Sequence, residues 1–129
     1  MPIGNRGLAG QPTLPYNDFR IYAGSDVTLN FTFLDNNGAL LQPTTITYLL
    51  DDITNFINMI PLTSLTPTGS QQTLDLPASS LNMTFDYQGS QLCQLVVTAT
   101  FFNALSGVTT TARERAIIEL VAIQVVNTQ

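Results

Sequence analysis

The chain has no histidine, no lysine and no tryptophan, and a single cysteine among its 129 residues. Without histidine or lysine, the commonest general base and the usual amine nucleophile are both missing, and the expectation is a protein that is not an enzyme. Four arginines are the only cationic side chains, set against nine carboxylates for a formal net charge of -5. Phosphate neutralisation needs clustered cations, so no nucleic-acid partner is expected. The lone Cys93 excludes an internal disulfide. Within Leu92-Cys93-Gln94-Leu95-Val96-Val97 it reads as an inert, buried thiol, because the chain holds no imidazole to activate it. The start Met-Pro-Ile-Gly-Asn-Arg has no apolar core of the signal-peptide kind, and no run reaches the length of a membrane span. The expectation is a soluble product of a cytoplasm with no membrane partner. Only 10% of residues are charged while Thr, Ser, Asn and Gln abound, a surface common on strands that pack into larger assemblies and one that would equally serve a secreted monomer.

What is present is strand periodicity. In Ser25-Asp-Val-Thr-Leu-Asn-Phe-Thr-Phe33, Val27, Leu29, Phe31 and Phe33 fall on one face, and Asp26, Thr28, Asn30 and Thr32 on the other. Asp35-Asn36-Asn37-Gly38 follows with residues suited to a tight reversal. Further strands are expected over 18–23, 44–50, 56–62, 71–76, 91–102 and 109–125, with Pro61 marking the fourth as an edge. Residues 51–55 read as a turn, and 77–83 as a one-turn corner between two sheets. Arg113-Glu114-Arg115-Ala116-Ile117-Ile118 also permits a helix over 112–122, but β-branched density and the hairpin before it favour strand. The fold class is therefore all-β: an immunoglobulin-like antiparallel β-sandwich of about seven strands, with a jelly roll as the alternative.

Residues 1–15 hold three glycines and three prolines, which forbids helix and sheet interior alike. The domain reading is an extended arm over 1–17 and a sandwich over 18–129. The arm has few anchors for its own domain, so a neighbouring subunit is the expected partner, gripped through Ile3, Arg6, Leu8, Leu14 and Tyr16, with folding back on its own domain as the alternative. A homo-oligomer is expected.

Candidates for chemistry are sparse. Asp51 and Asp52 are adjacent, so on a strand they point to opposite faces and form no dyad, a limit that a turn would relax. Asp26, Asp35, Asn36 and Asn37 offer oxygen ligands without the spacing of a calcium loop, and read as turn residues. Arg113 and Arg115 share a strand face opposite Glu114, an ion-pair edge. The Asn-x-Thr triplets at Asn30 and Asn82 read as accidental. No catalytic residue, cofactor or metal site is expected.

The run Ile21-Tyr-Ala-Gly-Ser-Asp-Val-Thr-Leu29, continued by Phe33-Leu-Asp-Asn-Asn-Gly38 and Thr47-Tyr-Leu-Leu-Asp-Asp52, resembles small immunoglobulin-like accessory proteins of tailed bacteriophage particles. Their strand-and-turn pattern "G-x-D-V-x-L-x-F-x-F-x-D-x-x-G" then "Y-x-L-D-D" covers the first half of the sandwich, with Leu120-Val-Ala-Ile123 closing it. The resemblance implies a virion location and a capsid decoration or cement role on the major capsid protein. A neck, tail or baseplate component is the alternative. A carbohydrate-binding module is a third reading, for which Tyr16, Tyr22, Tyr48 and Tyr87 are the available tyrosines.

Overall fold

The structure, a computed structural model, describes residues 19–85 and 88–123. Residues 1–18, which include the arm anchors Ile3, Arg6, Leu8, Leu14 and Tyr16, lie outside the described residues, as do 124 and 125 of the expected last strand.

Among the described residues seven strands form two layers: β1 (Phe19–Tyr22), β2 (Val27–Thr32), β3 (Thr45–Asp52), β4 (Ile57–Leu65), β5 (Gln71–Leu76), β6 (Ser90–Asn103) and β7 (Val108–Val121). One sheet has the order β1-β7-β6-β3-β4, and β2 pairs with β5 in the other. The molecule is a β-sandwich, as the alternation requires. Inward residues of β2 and β5 (Leu29, Phe31, Leu74, Leu76) meet inward residues of β3, β6 and β7 (Ile46, Tyr48, Leu50, Cys93, Leu95, Val97, Ala99, Ala116, Ile118, Leu120) in one core. Phe33 stacks edge-on against Phe101 at one end, with ring centroids 5.8 Å apart. The segment that also permitted a helix is strand: Val108–Val121 pairs residue for residue with Ser90–Asn103.

Three expectations are corrected. The sheets are not wholly antiparallel, because β1 runs parallel to β7, from Phe19 opposite Ile118 to Tyr22 opposite Val121. Consecutive β1 and β2 belong to different layers, so β1 finds its partner at the far end of the chain. The crossing uses Gly24 at φ +82, whose N–H donates to the Leu81 carbonyl at 2.7 Å. Its neighbour Asp26 accepts from Ala78 N at 2.7 Å, fixing the one-turn 3-10 corner Ala78–Ser80. Second, Asp51 and Asp52 close β3 instead of opening the turn, which occupies 53–56. Third, Phe56 lies in that turn and not in β4.

The edge position of β4 follows Pro61, which has no N–H for a second neighbour. Its pairing with β3 slips twice, between Tyr48 and Leu50 and between Leu50 and Asp51. Such bulges twist an edge away from unwanted strand addition. Asn58 repairs the second, its Nδ2 donating to Ile60 O at 3.0 Å and to Asp51 Oδ1 at 2.8 Å.

Phe31 is 1% exposed and sits where both layers converge. Truncation to alanine leaves a cavity, and Phe31→Ala is expected to cost about 3–5 kcal/mol. Urea unfolding of the two chains, compared at equal slope, measures it.

Candidate functional site

The β3–β4 turn is where this fold departs furthest from what stability alone asks. Phe56 is 90% exposed and holds φ at +60, the only non-glycine residue among those described with positive φ. A left-handed conformation costs a residue with a Cβ about 1–2 kcal/mol. It persists only where the surroundings over-determine it.

Asp52 does the over-determining. Strand alternation sends Asp51 outward and Asp52 inward, where its side chain is fully buried. A buried carboxylate must be met by donors. Oδ1 accepts from the backbone N–H of Thr54 at 2.9 Å and of Asn55 at 3.0 Å. Oδ2 accepts from Asn55 Nδ2 at 2.7 Å and from Thr84 Oγ1 at 2.6 Å. Burial pushes the Asp52 carboxyl up, but the bonds from Thr84, Asn55 and Thr54 outweigh it and hold the group below its ordinary value of 3.8.

The turn is also stapled to β6. Ile53 N donates to Leu92 O at 2.9 Å, and Leu92 N donates to Thr54 Oγ1 at 2.8 Å. Asn55 and Gln88 exchange amide bonds at 2.9 and 3.1 Å. Thr84 N donates to Oε1 of the buried Gln91 at 2.7 Å, so the segment carrying Thr84 is tied to β6 as well. Every buried side-chain nitrogen and oxygen among the described residues has a partner. Around this frame Asp51, Asp52, Ile53, Phe56, Ile57 and Asn58 line a depression of about 380 Å³. Ile57 is itself exposed. The arrangement sets an exposed aromatic on a hydrogen-bonded turn beside a hollow lined by both apolar and polar side chains.

The remaining sequence candidates fall elsewhere. Asp35 Oδ1 accepts from Asn37 N at 2.8 Å and Ala39 N at 2.9 Å, the turn role expected of it. Cys93 is buried, its thiol pushed up to about 11 by burial and by the nearby Asp52 charge, against a bond from Gln91. Met59 Sδ lies 3.3 Å from its sulfur. Arg113 and Arg115 are exposed on the outer face of β7, with Glu114 on the opposite face, while Arg20 pairs with Glu119 at 3.0 Å. Of the tyrosines, Tyr48 is in the core, Tyr22 is 60% exposed, and Tyr16 and Tyr87 lie outside the described residues. Among the described residues no three His, Cys, Asp or Glu side chains gather as metal ligands, and no helix is long and apolar enough to cross a membrane.

Sequence reasoning missed Phe56, since positive φ at an aromatic has no sequence signal. Gln91 was findable: it shares the inward parity of Cys93, Leu95 and Val97. Compared with known protein families, with curated proteins and with solved structures, the chain matches none.

Asn at position 52 keeps the shape but turns one accepting oxygen into a donor facing Asn55 Nδ2 or Thr84. Asp52→Asn is expected to lose about 2–3 kcal/mol near neutral pH. Because the folded carboxyl titrates below its unfolded value, its contribution is present above about pH 4 and fades as pH falls through the folded value. The gap between wild type and variant therefore narrows in acid. Urea midpoints from pH 7 down to pH 3 check both statements, and a gap that stays constant across that range would contradict them.

Proposed function

We propose that this protein is a non-enzymatic structural subunit of a virion, a capsid decoration or cement protein that docks on the major capsid protein and stabilises the shell. The observation that carries the reading is Phe56, 90% exposed at φ +60 on a turn pinned by a buried carboxylate. An aromatic ring left in water contributes little to its own fold, whereas one carried on a backbone already fixed by hydrogen bonds loses less entropy on entering a partner's pocket. Phe56 and Ile57 supply the apolar anchor, and the hollow beside them receives a complementary ridge.

Two further points favour a virion as the assembly. One is the phage-like run from Ile21 to Asp52. The other is connectivity, which we read as immunoglobulin-like: β7, β6, β3 and β4 in one sheet, β2 with β5 in the other, and the first strand joined in parallel to the last. The 1–17 arm is a second proposed grip on the lattice.

Phe56→Gly separates anchoring from folding. Glycine accepts positive φ without strain, so the variant is expected to keep its stability or gain up to about 1 kcal/mol. Its binding to particles lacking the protein should fall at least about tenfold. Co-sedimentation with such particles measures binding, and thermal unfolding measures stability. A variant that decorates as well as wild type, or particles that withstand heat and low ionic strength equally well without the protein, would refute the proposal. A few copies per particle in place of hundreds would move it to the neck, tail or baseplate.

A further inference from the structure

Asn37-Gly38 is the one Asn-Gly pair in the chain. It stands in the turn that carries the chain from Phe33 back to Leu41, closed by the Leu34–Leu40 bridge and by the Gly38 N–H, which donates to the Asp35 carbonyl at 3.0 Å. Asn36, Asn37 and Gly38 are all exposed. Gly38 holds φ at +84, and no atom lies within 4 Å of the point where a side chain there would begin. Nothing bulky hems in its nitrogen.

The asparagines differ in how their side chains are held. Asn30 Oδ1 accepts from Thr73 at 3.1 Å, Asn55 Nδ2 donates to Asp52 at 2.7 Å, and Asn58 Nδ2 donates to Asp51 at 2.8 Å. Asn82 Nδ2 donates to Ser79 O at 3.0 Å, and Asn103 Oδ1 accepts from Leu105 N at 2.9 Å. Asn37 is engaged through its backbone N–H, while no hydrogen bond among the described residues holds its side-chain amide. Asn36 shares that freedom, but the nitrogen after it belongs to Asn37, whose side chain crowds it and whose N–H is held by Asp35 Oδ1.

We propose that Asn37 is a site of spontaneous covalent modification, deamidation through a succinimide, and that Asp35 is the brake on it. Loss of the Gly38 N–H proton to hydroxide lets that nitrogen attack Asn37 Cγ. A bond forms between them, the Cγ–Nδ2 bond breaks, and Nδ2 leaves as ammonia. Water then opens the five-membered ring, at Cγ to give aspartate or at the main-chain carbonyl to give isoaspartate. Nothing is oxidised or reduced, since one water enters and one ammonia leaves.

Attack requires the Gly38 N–H to leave the Asp35 carbonyl and the Asn37 backbone to rotate. Asp35 Oδ1 resists both, because it accepts from Asn37 N at 2.8 Å and from Ala39 N at 2.9 Å, on either side of the reacting nitrogen. Its charge also opposes an anion at that nitrogen. Conversion therefore waits on local opening of the turn. Isoaspartate inserts a methylene into the main chain between the two donors, so Asp35 can no longer hold both. The segment it loosens begins at Phe33, which packs on Phe101. The proposal does not depend on the role given to Phe56.

Peptide mapping by mass spectrometry of the full chain, aged in warm, mildly alkaline buffer, tests it. Asn37 should gain one mass unit, with fragmentation showing isoaspartate as well as aspartate, while Asn30, Asn55, Asn58, Asn82 and Asn103 stay unchanged. Asp35→Ala removes the acceptor of two hydrogen bonds and should convert at least about tenfold faster. Asn37→Gln, which would have to close a six-membered ring, should abolish the signal at this position. A free peptide of residues 33–41 sets the rate without the brake. Far-UV circular dichroism confirms that the variants are folded, and the wild-type map decides the site if Asp35→Ala unfolds. An Asn37 that stays intact after the peptide has converted, conversion of any of the other five first, or an Asp35→Ala chain no faster than wild type would overturn the proposal.

Discussion

The structure depends on the burial of alternate residues along one strand, β6. Gln91, Cys93, Leu95, Val97 and Ala99 are all within 1% of complete burial. β3 pairs along one side of β6 and β7 along the other, from Thr45 opposite Thr100 to Ser90 opposite Val121. A one-residue slip in either pairing would turn the inner set of residues outward. Register on both sides is therefore fixed by the same hydrophobic requirement. The smaller β2–β5 layer closes over it with Leu29, Phe31, Leu74 and Leu76.

The same alternation that builds the core delivers a carboxylate into it. Position 52 continues the inward series Ile46, Tyr48 and Leu50, but the residue there is aspartate. Four donors converge on it, two of them backbone N–H groups of the following turn. Meeting the needs of a buried charge thereby dictates the path of the chain after β3, and that path ends with Phe56 in a strained, exposed position. Core packing, a charged polar junction and an exposed aromatic are consecutive consequences of one strand's parity.

Much of this was legible in the sequence. Period-two runs located the strands, because each has one dry face, and Pro61 marked an edge because its ring removes an N–H. Turn residues at Asp35 and Gly38 announced a reversal through side-chain acceptance and positive φ, and Gly38 does hold positive φ. The parallel union of β1 with β7 was not legible, since periodicity within a four-residue strand says nothing about a partner nearly a hundred residues away. The Asp52 junction was only half legible. Adjacent aspartates on a strand imply opposite faces, but the donors that make burial tolerable come from Thr84 and from a turn whose shape they help create. Such mutual dependence leaves no local trace.

The central claim is that the β3–β4 turn is held as rigidly as the core by the Asp52 carboxylate. Hydrogen exchange at single-residue resolution tests it most directly, because the amides of Thr54 and Asn55 donate to that carboxylate and to nothing else in the account. At neutral pH both amides should be protected nearly as well as those of β6, and substitution of Asp52 by Ala, which removes the acceptor oxygen, should release them while β6 stays protected. Exchange at the rate of an open loop in the wild-type protein would contradict the account.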